Sequence, residues 1–247
     1  MRVRKVAVAA AALVAGLALA GCGADIGLSK QTKHSSRSFD VDSDTLRLTV
    51  DNDVTIVPGA AGTVTVERWL TGKAAKHPTW RRDGDKLTLT AKCVGVSLNC
   101  DSRYRVAVPA DLSLTLSSQY GAVTVEKLTG GLNVHADHGD VQLSAVSGPV
   151  RIATGYGDVS VRRTGSDDVL VDSDSGSIRL AFRAIPKRVT AQSTYGNVSV
   201  TVPKSSYHVT TRTKYGDVSS RLPDHAGAPR TITAETDNGD VAVRATG

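Results

Sequence analysis

Tyr156-Gly157-Asp158-Val159-Ser160-Val161 is answered by Tyr195-Gly196-Asn197-Val198-Ser199-Val200, by Tyr215-Gly216-Asp217-Val218-Ser219-Ser220 and by Asn238-Gly239-Asp240-Val241-Ala242-Val243. Working outward from these phrases, the glycine recurs as Gly121, Gly139, Gly157, Gly176, Gly196, Gly216 and Gly239, at spacings of 18, 18, 19, 20, 20 and 23 residues. Two positions after it stand Val123, Val141, Val159, Ile178, Val198, Val218 and Val241; four after stand Val125, Leu143, Val161, Leu180, Val200, Ser220 and Val243. Seven before stand Leu114, Leu132, Val150, Val169, Val189, Val209 and Ile232. The third position before is always small: Ser118, Ala136, Thr154, Ser173, Ser193, Thr213 and Thr236. Each unit therefore reads strand, glycine corner, strand, connector, with alternate side chains turned inward. A fixed period near 20 residues marks an architecture in which a unit buries its apolar face only by stacking on its neighbours.

The expected fold is all-β. Residues 111–247 form a parallel β-solenoid, or β-helix, of about seven rungs of 18–23 residues, and 41–110 form an N-terminal β segment before it. Glycine supplies positive φ at each corner without steric penalty. An antiparallel meander or sandwich, with each corner closed as a two-residue hairpin, is the alternative. Such hairpins prefer Asn-Gly or Asp-Gly, and of these corners only Asn238-Gly239 complies. The early stretch Leu46–Ile56 alternates too, but its apolar register is offset by one residue, so it is not counted as a rung. The sequence leaves open whether 41–110 caps the solenoid or forms a small sandwich.

At the other end, Arg2, Arg4 and Lys5 precede an apolar run from Val6 to Ala20. That run falls short of the ~20 residues that span a bilayer and reads as a secretory signal over residues 1–21. Leu19-Ala20-Gly21-Cys22 resembles the lipobox of bacterial lipoproteins. The resemblance implies a diacylglyceryl group, and an N-acyl chain, on Cys22. Two or more chains anchor stably where one does not. Residues 22–40, rich in Ser, Lys, Gly and Thr, then read as the lipidated cysteine and a flexible tether. The expected location is extracytoplasmic: the outer face of the cell membrane, or an outer membrane where one exists. Cys93 and Cys100 are spaced for a short disulfide in an oxidising compartment.

Without the three signal charges, the net charge of +6 falls to about +3, with no dense basic patch, so nucleic acid is not an expected partner. Before the repeat glycine stand Tyr120, His138, Tyr156, Ser175, Tyr195, Tyr215 and Asn238. This column is either a corner ladder packing rung on rung or a strip that stacks on the sugar rings of an envelope glycan, with Tyr120, Tyr156, Tyr195 and Tyr215 as its ligand-facing residues. After the glycine stand Ala122, Asp140, Asp158, Ser177, Asn197, Asp217 and Asp240. They suit local turn chemistry better than calcium, which takes six to eight oxygens. His34, His77, His135, His138, His208 and His225 show no metal-ligand spacing, and Arg162-Arg163 and Asp167-Asp168 read as solvated turns. No metal, no cofactor and no catalytic residues are expected, and the short connectors leave nothing to wall a water-excluding pocket. The open last rung, near Val241 and Val243, is the expected strand edge for a protein partner.

The "YGDVSV", "YGNVSV", "YGDVSS" and "NGDVAV" units behind a lipobox resemble the "putative adhesin" family of bacterial domains of unknown function, in its actinobacterial-type lipoprotein branch. The similarity extends over roughly residues 41–247. It implies a β-solenoid at the cell surface that binds envelope glycan or a surface protein. It implies no substrate, and a fold alone does not establish function.

Overall fold

A computed structural model of the chain describes residues 32–76, 78–91 and 100–246. The signal segment, Cys22, His77 and Cys93 lie outside the described residues. Those described contain strands, turns and a single 3-10 turn at Lys73–Ala75. The strands form two facing sheets. In spatial order the first runs Thr32–Asp40, Thr63–Gly72, Cys100–Val108, Asp53–Pro58, Val123–Glu126, Val141–Ser144, Val159–Thr164, Ile178–Phe182, Val198–Val202, Val241–Ala245 and Val218–Ser220. The second runs His208–Tyr215, Thr231–Asn238, Arg188–Tyr195, Asp168–Ser175, Val150–Tyr156, Leu132–His138, Ser113–Ser118, Thr45–Val50, Lys86–Ala91 and Pro78–Asp83.

Each repeat gives its first strand to one sheet and its second to the other, so the chain coils. Hydrogen bonds run between units and in parallel: Leu132 faces Leu114 and Val150, and Val141 faces Val123 and Val159. This is the solenoid. A meander would pair the two strands of one unit antiparallel across the glycine, and they do not pair. Alternate residues of both strands point inward, giving one continuous aliphatic core from Phe39 to Val243. Valine, leucine and isoleucine suffice because the two sheets enclose only a thin layer. Each fully buried side chain of this kind contributes about 1.5–3 kcal/mol before entropy is counted.

The structure departs from the sequence reading in three places. First, Thr45–Val50 and Asp53–Pro58 do form a rung. Leu46, Leu48 and Val50 face Leu114, Leu116 and Ser118, while Val54 and Ile56 face Val123 and Val125. The corner Asp51-Asn52-Asp53 is one residue shorter than the glycine corners, which produces the offset. Lys86–Ala91 and Cys100–Val108 add another rung beyond it. The sheets therefore continue unbroken from the repeats into the N-terminal segment. Second, Thr32–Asp40, expected within the tether, is a strand paired antiparallel with Thr63–Gly72. With Pro78–Asp83, also antiparallel, it closes that end of the stack. The Arg68 guanidinium lies 3.9 Å from the Trp80 ring centroid and that of Arg37 4.9 Å from the Phe39 ring, so Trp80 and Phe39 serve this cap.

Third, stacking order differs from chain order at the C-terminal end. Thr231–Asn238 and Val241–Ala245 insert between the rung of Arg188–Tyr195 and Val198–Val202 and the rung of His208–Tyr215 and Val218–Ser220. Val241 and Val243 are thus interior, and the open edge belongs to His208–Tyr215 and Val218–Ser220. The cause lies in the side chains. Ile232, Ala234, Val241 and Val243 are wholly buried, whereas the outer rung carries Thr211, Ser220 and a Val218 that is 48% exposed. The rung with the aliphatic face takes the interior and the polar one ends the stack, as capping repeats do. Leu222, in the connector that follows, tucks against the core. Asp224 Oδ1 accepts the Val209 amide at 2.9 Å and lies 3.0 Å from His208 Nδ1, tying that connector down.

Candidate ligand-binding edge

The corner is built from four neighbouring positions. At the glycine, φ lies between +85° and +146° in all seven repeats. From Gly139 onward each glycine also packs on the glycine of the rung beneath. A Cβ on Gly157 would stand 2.3 Å from the Gly139 carbonyl oxygen, and one on Gly239 2.3 Å from that of Gly196. The small residue three positions earlier serves the same oxygens. Ser193 Oγ donates to the Gly176 carbonyl at 3.0 Å, Thr236 Oγ1 to Gly196 at 2.9 Å and Thr213 Oγ1 to Gly239 at 2.9 Å. At these three corners the hydroxyl finds this acceptor; Ser118 Oγ instead donates to the Tyr120 carbonyl, and the buried Thr154 and Ser173 hydroxyls have no hydrogen-bond partner.

The position after the glycine forms a ladder. Asp53 Oδ1 accepts the Ala122 amide at 2.8 Å, Asp140 Oδ1 that of Asp158 at 2.9 Å, and Asp158 Oδ1 that of Ser177 at 2.9 Å. Asn197 Oδ1 then accepts the Asp240 amide at 2.8 Å, and Asp240 Oδ1 the Asp217 amide at 3.0 Å. Each side chain staples its own rung to the next in space. One oxygen of each is committed to the backbone, and the second oxygen of Asp158 binds Arg179 Nη1 at 3.1 Å. The column therefore bonds between rungs, not within its own turns as the sequence suggested.

With the ladder holding the corner, the residue before the glycine is pushed outward. Tyr120, Tyr156, Tyr195 and Tyr215 are 52%, 59%, 59% and 73% exposed. The four share one edge but do not form an unbroken strip. His138 stacks between Tyr120 and Tyr156, with ring centroids 5.6 and 5.1 Å apart and planes inclined by 26° and 15°. Beyond Tyr156 the column continues in space as Ser175, Tyr195, Asn238 and Tyr215. His138 is a member of the edge that its membership of the column signals. A search for metal spacing does not reveal it.

The other candidate groups are paired. Lys187 Nζ lies 2.6 Å from Asp167 and Arg188 Nη1 3.6 Å from Asp168, beside a shallow cleft of about 470 Å³ also lined by Pro229, Arg230 and Thr231. His135 pairs with Asp137 at 3.3 Å, and His34 stacks on Trp69 at 4.8 Å. Arg162 and Arg163 bond Ser160 and Ser144 at the opposite corner, where Arg163 has φ +51°. The described residues contain no group of three metal-ligating side chains. Shifted pKa values fall at the ends of the stack. Burial raises the Asp51 carboxyl and the Tyr104 phenol and lowers the Arg68 guanidinium beneath the cap, and burial also raises the Tyr207 phenol. The bond from the Val209 amide, followed by that to His208, lowers the Asp224 carboxyl. Cys100 opens the strand Cys100–Val108.

Among solved structures, a "putative adhesin" from Bacteroides fragilis is similar over 88% of this chain and 99% of its own, at 14% identity and a TM-score of 0.60. A "putative cell adhesion protein" from Clostridium sporogenes aligns over 87% and 100% at 13% identity, with a TM-score of 0.39. A "putative lipid binding protein" from Parabacteroides distasonis aligns over 87% and 97% at 8% identity, with a TM-score of 0.43. At such identities the first supports the fold alone, and the other two carry no argument. No curated protein matches. The family model described as Toastrack DUF4097 matches residues 112–246, the stacked repeats together with their glycine corners, and the chain belongs to that family.

Proposed function

We propose that the protein is a non-catalytic binding module, lipid-anchored through Cys22 outside the cell membrane, that holds neutral glycan of the envelope at its tyrosine edge. The observation that carries this is the exposure of four tyrosines, each more than half accessible, on one edge of a rigid stack. Exposed aromatic faces are surface that water solvates poorly, and on a soluble protein a row of them marks a contact site. The fold shared with a protein named as an adhesin agrees with a surface role. At the connector before Asp168–Ser175, Asp167 and Asp168 are neutralised by Lys187 and Arg188, which supports binding over catalysis there. A Cys93–Cys100 disulfide belongs to the same reading of an exported chain.

The test is retention of the full-length chain, in mild detergent, on isolated cell-wall material. A variant with Tyr156→Ala, Tyr195→Ala and Tyr215→Ala, verified as folded by its thermal transition, runs beside it. Saturable retention that the variant loses supports the reading, and equal behaviour of the two sinks it.

A second reading has its own observation. The outer strands His208–Tyr215 and Val218–Ser220 leave one side unpaired, and Val218 is exposed there. A structural or envelope-stress role would use that edge to add a strand from a protein partner. Retention of a protein partner that survives the tyrosine variant but is lost on Val218→Lys would favour it.

A further inference from the structure

We infer that the tyrosine edge carries two discrete slots, each built to take a single sugar ring of a neutral glycan. This rests on the glycan reading above and specifies its site. One slot lies between Tyr156 and Tyr195 with Ser175 as its floor. The other lies between Tyr195 and Tyr215 with Asn238 as its floor.

The stacked trio fixes the orientation. Tyr120, His138 and Tyr156 lie face to face from rung to rung, so their ring planes stand across the long axis of the stack. Their faces are turned toward neighbouring rungs, and their edges toward solvent. A glycan lying flat along the edge would therefore meet ring edges, and His138 already covers one face of each of its tyrosines. Carried along the column by the shared register, that orientation leaves faces open where the column steps down to a small side chain. The register places Ser175 directly between Tyr156 and Tyr195, and Asn238 directly between Tyr195 and Tyr215. Tyr195 thus forms a wall of both slots.

The width selects the occupant. Two strand spacings separate successive walls, roughly 9–10 Å. A flat ring in contact on both faces needs only about 7–8 Å between the walls. The remaining ~2 Å suits the pucker of a saturated chair and is too little for a second ring. The floors offer a hydroxyl at Ser175 and an amide with both donor and acceptor at Asn238, which suit sugar hydroxyls. Asp174 adjoins the first floor, and Asp217 and Asp240 flank the second, so an anionic sugar is repelled. Because the inserted ring lies across the axis, the glycan crosses the edge instead of running along it.

Filling the floors tests this. Ser175→Tyr and Asn238→Tyr put tyrosine where neighbouring rungs already carry it, so the backbone accommodates both. Gln142→Tyr, on the exposed outer face of the other sheet, controls for an added aromatic. The full-length chain and the three variants are titrated with an N-acetylglucosamine tetrasaccharide by calorimetry. Proton NMR is recorded on the sugar, and retention on cell-wall material is measured in parallel. The expected result is a loss of affinity of more than about tenfold in the double floor variant and none in Gln142→Tyr. The bound sugar's C–H signals should move upfield on both faces of one ring. Undiminished or tighter binding by the double variant overturns the slots, as does a tetrasaccharide that fails to bind the wild-type chain. If cell-wall retention persists in either case, the slots fall while the broader glycan reading stands. If retention is absent as well, both fall.

Discussion

Replacing Gly196 by alanine sets two penalties against each other's controls. The new Cβ would lie 2.2 Å from the Gly176 carbonyl oxygen, 2.5 Å from its carbon and 2.9 Å from the Ser177 nitrogen, at a φ of +144°. The backbone region is one that essentially only glycine visits, and forcing another residue into it costs about 1–3 kcal/mol. The overlap is with backbone, which cannot rotate away, and relieving it by shifting a rung adds about 1–3 kcal/mol by analogy with overpacked cores. Against this, alanine restricts the unfolded chain and returns about 0.4–1 kcal/mol. The expected net loss is thus roughly 1–6 kcal/mol, centred on about 3. Gly84 isolates the backbone part: its φ is +58° but a Cβ there meets nothing within 4 Å. Gly84→Ala should cost only about 1 kcal/mol after the same return. Gly227, with no positive φ and nothing within 4 Å, should gain about 0.4–1 kcal/mol on the same change. Denaturant midpoints at unchanged m-value measure all three. A Gly196→Ala loss within about 0.5 kcal/mol of Gly84→Ala would refute stacking of glycine on glycine at the corner.

Three further outcomes are expected. Ala145 holds φ +57° at the opposite corner, in line with Lys127 and Arg163, so Ala145→Gly should raise stability by up to about 1 kcal/mol, read from the same midpoints. Asp240→Ala removes the acceptor for the Asp217 amide and should cost about 1 kcal/mol; hydrogen exchange should show the Asp217 amide losing protection while that of Val159 keeps it. The Asp224 carboxyl has a lowered pKa in the folded state, so its contribution is present above the ordinary carboxylate value of 3.8 and fades as pH falls through the lower, folded value. Hydrogen exchange on acidification should therefore loosen His208–Tyr215 before the interior rungs, and simultaneous loosening of both would contradict that role.

The single column of seven glycines makes the rungs legible because one corner geometry imposes the same residue types on every copy. The parallel pairing follows as soon as two-residue hairpins are excluded by corner chemistry. The rung at Leu46–Ile56 escapes the pattern because its corner closes over Asp51-Asn52-Asp53 in one residue fewer, moving Val54 and Ile56 out of step without changing which way they point. The exchange at the C-terminal end is harder to read, since in-register rungs pair equally well in either order. Only Thr211, Ser220 and the polar character of that one rung hint that it belongs outside. This matters for the edge: chain order would set Tyr195 beside Tyr215, whereas the fold puts Asn238 between them and opens a slot. The Asp and Asn column reads from sequence as local turn chemistry, but its bonds reach from one rung to the next, which depends on stacking that no single turn encodes.

The stacking order at that end is most directly tested by paired cysteines on outward positions. Gln192 faces Glu235 on the adjacent strand, their side chains bonded at 3.1 Å, and Arg212 faces Glu235 from the other side. Adjacent strands, about 4.8 Å apart, lie within disulfide range, and strands two spacings apart do not. Under mild oxidation, Gln192→Cys with Glu235→Cys should cross-link, and Gln192→Cys with Arg212→Cys should not. Cross-linking of the second pair in place of the first would restore chain order, bring Tyr195 against Tyr215 and abolish the slot between them.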